Sequence, residues 1–261
     1  MNDLLLSEIN APRRALLNQF SLLETSIFEK PTDIDHVLLP LIDNCKLALN
    51  DCENTMDRAE IFINEIFISQ LLIDNSRSLW PVLSYRITDS INYKVIAPVV
   101  KAAIIQYVAN VCELETDIVY LPEKVMIRIL CDDVYSIIFD PVTGESLNWQ
   151  ELEQSLDELG GDPSRMQLIP MEQESIVVEY LSGLKKSLIS ENSFEKALKC
   201  VDLLLSMRPN DPLERRDRGF LLHQLDCFKV AYDDYQYFVD QCPKDPAAQL
   251  LKLQLDNISV K

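Results

Sequence analysis

The chain has 261 residues, 48% of them hydrophobic, and a formal net charge of −18. This length allows one large domain or two modest ones, each with a substantial core. The acidic excess repels phosphate groups, so it argues against binding to nucleic acid or to an anionic membrane and leaves a basic protein partner open. Seven scattered cysteines, no Cys-x-x-Cys motif and an acidic N-terminus without a signal peptide predict a reduced, cytoplasmic protein.

Residues 1–92 are predicted to form an N-terminal helical region. From Ala11 to Ser90 apolar residues recur at spacings of three and four, which is the pattern of amphipathic helices. Pro31 and Asp33 predict a break and a helix cap between the first two helices. A third helix is predicted over residues 57–72.

Two cysteines and a histidine in this region are candidate reactive groups. Cys45 and Cys52 lie seven residues apart on one apolar stripe, so we interpret them as small core residues and not as a redox pair. His36 lies beside the same stripe without an accompanying cysteine or serine motif. We therefore predict a structural or surface role for it.

Two helices and three strands are predicted within residues 93–160, and the second helix covers residues 149–159 after a cap at Asn148. Pro98 suits the first turn of a helix over residues 98–113, whose apolar residues predict burial against a sheet. Three extended apolar segments follow, at residues 117–121, 125–131 and 134–139. The Asp132-Asp133 pair predicts the hairpin turn between the last two.

Several short motifs in and around this unit match a known pattern. They are Asn64-Glu65, Pro98, Leu121-Pro122, and Phe139-Asp140-Pro141 with Gly144 and Leu147. In these motifs the chain resembles the SirB-like family, bacterial proteins with a transglutaminase-like core and C-terminal tetratricopeptide repeats, over residues 60–255. The resemblance implies an association with the regulation of bacterial gene expression.

The same resemblance places the catalytic positions of a transglutaminase-like enzyme. The family's serine in the nucleophile position falls on Val100, and the family's histidine falls on Lys124. Valine has no nucleophilic atom, and a lysine with an ordinary pKa is a poor general base at neutral pH. Asp140 retains the carboxylate, although one carboxylate before proline is more typical of a turn. The prediction is therefore a protein that is not an enzyme.

A second hypothesis keeps catalysis. It is a cysteine-dependent hydrolase or acyltransferase that uses a displaced nucleophile, Cys112 or Cys131, with Asp140. Its base would come from elsewhere in the chain, either His36 or His223. Both thiols lie in apolar runs, which predict burial and inertness.

The C-terminal part of the chain repeats itself. Gly160-Gly161 predicts a boundary, and residues 161–177 a linker, before a repeat segment over residues 178–261. The repeat has a period of 34 residues, the period of tetratricopeptide repeats. The matching pairs are Phe194 and Phe228, Ala197 and Ala231, Pro209 and Pro243, and Asp211-Pro212 and Asp245-Pro246. We place the repeats at residues 178–211 and 212–245, with a final helix over residues 247–255.

The first helix of each repeat is expected to line a concave, partner-binding face. The candidate residues on this face are Lys186, Arg215, Arg216, Asp217, Phe220, His223 and Gln224. The arginines could clamp a carboxylate of a peptide, or they could form salt bridges to acidic residues of the same chain. No ligand spacing for a metal and no phosphate-binding glycine loop is present, so neither a metal nor a cofactor is predicted.

These features together predict an α+β, mainly helical fold. It consists of a degenerate transglutaminase-like core with a small antiparallel sheet, followed by two tetratricopeptide repeats. The expected function is that of a noncatalytic cytoplasmic protein-interaction or regulatory protein with a protein or peptide partner. Neither nucleic acid nor a membrane is expected as a partner, and a homo-oligomer remains open.

Overall fold

The computed structural model describes residues 2–9, 15–121, 124–132, 135–147 and 169–258. Contacts divide the chain into a core unit, Asn10–Tyr180, and a repeat unit, Met1–Ile9 with Leu181–Lys261. Helix α1 (Asn2–Ile9) was expected with the N-terminal helices but belongs to the repeat unit, where it contacts the helix over residues 194–207. The helix predicted over residues 149–159 and the boundary predicted at Gly160-Gly161 lie outside the described residues.

The core unit is mainly helical. Its helices are α2 (Leu16–Phe28), α3 (Ile34–Leu49), α4 (Thr55–Asn64), α5 (Ile87–Tyr93) and α6 (Pro98–Val111), with a π-helical segment (Glu65–Ser69) after α4 and a 3-10 turn (Val82–Tyr85) before α5. The predicted cap of α3 is confirmed, because the Asp33 side chain accepts a hydrogen bond from the backbone N–H of His36. The third predicted helix is divided between α4 and the π-helical segment.

Helix α6 is the central helix of the core unit. Pro98 occupies its first turn, as predicted, where the missing N–H leaves no intrahelical bond unmade. The helix contacts α2, α3 and the first two strands, and most of its side chains are buried. Among the described helices, none is by itself long and apolar enough to cross a membrane. Helices α5 and α6 reach the required length and apolar composition only when taken together, and the angle of the bend between them is 92°.

The predicted small antiparallel sheet is confirmed. Its strands are β1 (Glu115–Leu121), β2 (Lys124–Leu130) and β3 (Ser136–Phe139), arranged in the order β1-β2-β3. Ile127 of β2 lies opposite both Ile118 of β1 and Phe139 of β3, and all three side chains are buried. Arg128 Nε donates a hydrogen bond of 2.9 Å to Asp117 across β1 and β2. The alternate residues on the other face are also apolar, because Val119, Leu121, Met126 and Ile138 form a second buried cluster there.

The chain returns to the sheet before the repeats begin. Pro170 forms an antiparallel bridge with Val119, and the N–H of Met171 donates to the carbonyl of Ile118 at 2.8 Å. Helix α7 (Gln173–Ser190) follows directly. The last residues of the predicted linker are therefore ordered: some pair with β1 and the others begin α7. Pairing with the edge strand β1 satisfies backbone N–H and carbonyl groups that would otherwise lack partners.

In the described part of the repeat unit, four helices follow α7, and the last of them covers the final helix predicted over residues 247–255. They are α8 (Phe194–Met207), α9 (Pro212–Gln224), α10 (Phe228–Gln241) and α11 (Pro246–Ile258). Gly219 allows α9 and α10 to approach closely, since a Cβ atom at this position would lie 2.8 Å from the Tyr235 ring. Asp211 caps α9 by accepting hydrogen bonds from the N–H groups of Leu213 and Glu214.

Gly144 provides the first testable prediction. It adopts a φ of 77°, and a Cβ atom there would lie 2.6 Å from Cγ of the Phe67 ring. Gly144→Ala should therefore lower the free energy of unfolding by about 2 kcal/mol, because alanine must adopt a left-handed conformation and displace the ring. Urea denaturation followed by circular dichroism measures this loss. Glu145→Ala, at the exposed neighbouring position, is the matched control, and equal stability of both variants would contradict the prediction.

Candidate functional site

The structure brings together two of the three positions that a transglutaminase-like enzyme would use. Val100 is the third residue of α6 and is fully buried. Lys124 begins β2, and Asp140 directly follows β3. The Nζ atom of Lys124 lies 4.0 Å from Oδ2 of Asp140. The base and carboxylate positions are therefore neighbours, and valine at the nucleophile position has only carbon atoms in its side chain.

The hydrogen bonds of Asp140 are those of a turn residue. Its Oδ1 atom accepts from the N–H groups of Val142 at 2.6 Å and Thr143 at 3.4 Å. Its backbone carbonyl accepts from the N–H of Gly144 at 2.9 Å. The Lys124 side chain is 64% exposed, so its ion pair with Asp140 is screened by water and contributes little stability.

Lys101 is the residue at this site that the sequence analysis does not identify. Only 1% of the residue is exposed. Its ammonium donates hydrogen bonds to the backbone carbonyls of Leu72 and of Val142, the latter at 3.2 Å, and lies 5.6 Å from the centre of the Phe67 ring. Burial lowers the pKa of Lys101 to about 8, although the carboxylates of Asp74 and Asp140 act in the opposite direction.

The contacts of Lys101 join three separate parts of the core unit. The lysine lies on α6, Leu72 follows the π-helical segment, and Val142 lies in the turn after β3. The N–H of Asp74 also donates to the Val142 carbonyl, at 3.1 Å. A single charged residue within an otherwise apolar helical stretch is the sequence signal that could have pointed to this role.

The cysteines near this region are buried. Cys112 and Cys131 are 5% and 7% exposed, and burial raises the pKa of both thiols. Cys45 lies in the core as predicted, where burial raises its pKa to about 12. Cys52 differs from the prediction, because α3 ends at Leu49 and leaves this cysteine half-buried outside the helix. Among the described residues no group of three or more His, Cys, Asp or Glu could hold a metal ion.

In the repeat unit, ion pairs within the chain occupy the basic cluster. Arg218 binds the carboxylate of Asp234 through Nε at 2.6 Å, and Arg215 reaches the same carboxylate at 3.2 Å. Arg216 pairs with Asp217 at 2.8 Å. The structure therefore favours the intramolecular interpretation of this cluster over a preformed clamp for a peptide carboxylate.

A second salt-bridge cluster explains the position of Asp217. The ammonium of Lys185 in α7 lies 2.8 Å from Glu214 and 2.7 Å from Asp217 in α9. Lys185 is 5% exposed, and the two carboxylates raise its pKa although burial lowers it. Of the candidate partner-binding residues, Asp217 is thus held between Lys185 and Arg216.

The remaining candidate residues are exposed. They are Lys186, Phe220, His223 and Gln224. His223 also lines a cavity of about 400 Å³, whose mainly apolar wall includes Phe228, Tyr232, Tyr235 and Leu255. Burial in this wall raises the pKa of Tyr235 to about 12. Of the residues that line this cavity, only His223 is among the binding candidates predicted from the sequence.

The low pKa of Lys101 makes stability depend on pH. Between pH 8 and the usual lysine value of 10.5 the unfolded chain binds a proton at this position that the folded chain does not, so stability rises with pH. Lys101→Met removes this dependence. The unfolding free energy of the wild type minus that of Lys101→Met should therefore rise by about 3 kcal/mol between pH 7 and pH 10.5. Urea denaturation at each pH measures this difference.

The control for this measurement is Lys30→Met, at an exposed lysine of the core unit. It corrects for the general effect of replacing an amine with a thioether side chain. A difference between wild type and Lys101→Met that stays constant across this pH range would contradict the prediction.

Comparisons with known proteins agree with this architecture. A family profile described as the transglutaminase-like superfamily matches residues 43–182, and one described as a tetratricopeptide repeat matches residues 184–256. The UPF0162 protein YchA of Escherichia coli K12 is 36% identical over 162 residues, which cover 61% of this chain and 60% of YchA. Protein SirB1 of Salmonella typhimurium LT2 is 33% identical over the same lengths.

A third relative, the UPF0162 protein of Vibrio cholerae El Tor, is 32% identical over 165 residues, or 62% of this chain and 61% of that protein. The match to each of these relatives thus spans less than two thirds of the relative's length. No solved structure matches the chain significantly. Because the transglutaminase-like profile covers more than half of the chain and the repeats follow it, the chain belongs to the SirB-like family of transglutaminase-like proteins with C-terminal tetratricopeptide repeats.

Proposed function

We propose that this chain is a noncatalytic cytoplasmic protein-interaction or regulatory protein, whose repeats bind a protein or peptide partner. The observation that carries the proposal is the composition of the degenerate site. Val100 occupies the nucleophile position, and Lys124 occupies the base position beside Asp140. A regulatory role would then depend on which protein is bound and not on a reaction.

The chemistry of acyl transfer supports this choice. The reaction needs a nucleophilic atom next to a group that accepts its proton. Val100 has only carbon atoms in its side chain, and an ammonium such as that of Lys124 is a donor without an acceptor atom. Lys101 is the next residue on α6, but its nitrogen is buried and donates to two backbone carbonyls. No substrate could reach it without opening the core.

The repeat unit offers the surface for a partner. Lys186, Phe220, His223 and Gln224 are exposed along α7 and α9, and the cavity beside His223 is lined by aromatic rings. Tetratricopeptide repeats generally bind proteins, and aromatic residues contribute strongly to binding energy at interfaces. We therefore expect recognition to rest on apolar contacts to Phe220 and the cavity, with the exposed Lys186 and Lys229 as cations beside them.

The distribution of charge differs between the repeats and the rest of the chain. Residues 181–261 contain twelve Lys and Arg and twelve Asp and Glu, so the acidic excess of the chain lies in residues 1–180. A basic partner would be attracted to that acidic part by long-range electrostatics. Contacts with the repeats would then determine which partner stays bound.

Thiol labelling tests the noncatalytic part of the proposal. The native chain is treated with iodoacetamide between pH 6 and pH 9, and mass spectrometry then measures the modified fraction of each cysteine. Cys227 is exposed and should react at an ordinary rate, while Cys112 and Cys131 should stay protected until urea is added, because both are buried. Rapid alkylation of Cys112 or Cys131 below pH 7 would instead support a cysteine-dependent hydrolase or acyltransferase.

Partner capture tests the interaction part. The tagged full-length chain is crosslinked in cell extract, the retained proteins are identified, and the affinity of the purified partner is then measured. Phe220→Ala and His223→Ala should each weaken binding at least tenfold, because each removes exposed aromatic contact area. Leu47→Ala, at an exposed apolar position of the core unit, should bind like the wild type.

Thermal denaturation of each variant separates a binding defect from unfolding, since the Phe220 ring also packs edge-on against Phe194. Unchanged affinity in both Phe220→Ala and His223→Ala would contradict the proposed surface. Thiol labelling and partner capture are independent experiments, so either the noncatalytic part or the interaction part of the proposal can be contradicted without the other.

A further inference from the structure

Helix α11 presents two chemically different faces. Ala248 and Leu255 are buried with Phe238 and Val239 of α10. Leu250 and Leu253, three residues apart, are 65% and 63% exposed. Residues three apart in a helix lie on the same face, so the two leucines form one small exposed apolar patch. No helix in the described part of the repeat unit covers them.

The 34-residue period identifies the type of element that belongs on this face. Pro246 at the start of α11 corresponds to Pro212 at the start of α9, so α11 has the position of a first helix in a third repeat. By the same count, Leu253 corresponds to Gly219 and Lys252 to Arg218.

The corresponding residues of α9 face the second helix of their repeat. Gly219 lies against the Tyr235 ring of α10, and Arg218 binds Asp234 of α10 at 2.6 Å. The equivalent face of α11 is therefore the face that a second helix covers in a complete repeat. In the preceding repeat that helix supplies a carboxylate to the cation on the first helix.

We propose that an amphipathic helix of a partner protein packs on Leu250 and Leu253 and carries an acidic side chain that pairs with Lys252. This helix takes the place of the second helix of a third repeat. Because Leu253 replaces the glycine of α9, the incoming helix must present a small residue at the point of closest approach. This surface differs from the one formed by Phe220 and His223, so its failure and that of the proposed function are distinguishable.

Charge argues against a second copy of this chain as the occupant. Two α11 helices packed about a two-fold axis would place Lys252 of one copy close to Lys252 of the other, because the interface repeats the same patch on both sides. The net charge of −18 also opposes association between copies. A partner helix with an acidic residue at this point places no second cation beside Lys252.

A synthetic helix provides the probe. It has the sequence of residues 228–241, with Tyr235→Ala to supply the small residue, a fluorescent label and a covalent helix constraint; it retains Asp234. A second peptide carries Asp234→Lys in addition. Fluorescence anisotropy measures the binding of each peptide to the full-length chain.

The wild-type chain should bind the acidic peptide saturably. Leu253→Ser and Lys252→Glu should each weaken this binding at least tenfold, and Lys252→Glu should regain binding with the lysine peptide, because the charges are then exchanged. Leu213→Ala, at an exposed leucine of α9, is the matched control and should leave the affinity unchanged.

Three results would overturn the proposal. The first is that neither peptide binds, and the second is that Leu253→Ser and Lys252→Glu leave binding unchanged. The third is a dimer of the wild-type chain in analytical ultracentrifugation that Leu253→Ser abolishes, which would assign this face to a second copy. Rescue by the exchanged charge would support it, since that result requires contact at Lys252.

Discussion

The buried ammonium of Lys101 is the interaction on which the arrangement of the core unit depends. It donates to the carbonyls of Leu72 and Val142, which lie outside the helices and strands. A backbone carbonyl buried without a partner costs free energy, and so does a buried charge. The ammonium and the two carbonyls therefore supply each other with hydrogen-bond partners. Through these bonds α6 is connected to the segment after the π-helix and to the turn after β3.

A second set of contacts holds the turn that carries Asp140. Asp140 is held in its turn by bonds to the N–H groups of Val142 and Thr143, while Gly144 lets the Phe67 ring cover the same turn. These contacts keep Asp140 beside the base position whichever residue stands there. The position of Asp140 near the start of β2 is thus a property of the turn, and such geometry is not by itself a sign of catalysis.

Much of the fold is predictable because it follows from periodic signals. The three-to-four spacing predicts the helices, Asp33 and Pro98 mark helix starts, and the 34-residue period places the repeats. The role of Lys101 is not predictable in this way, since its acceptors are backbone carbonyls that every residue possesses. The pairing of Pro170 with Val119 is unpredictable for the same reason, because edge-strand pairing uses backbone groups and does not depend on the pattern of side chains.

The ionic contacts of the repeats show how a short array sets its own register. Asp234 is 2% exposed and receives both Arg215 and Arg218, so two cations from α9 converge on one carboxylate of α10. A buried ion pair adds little net stability after desolvation, but a misplaced one is costly, so it favours one alignment of two helices over its neighbours. The cluster that could have bound a peptide carboxylate is thereby committed to alignment. Apolar and aromatic side chains such as Phe220 and Phe228 remain exposed on the same unit.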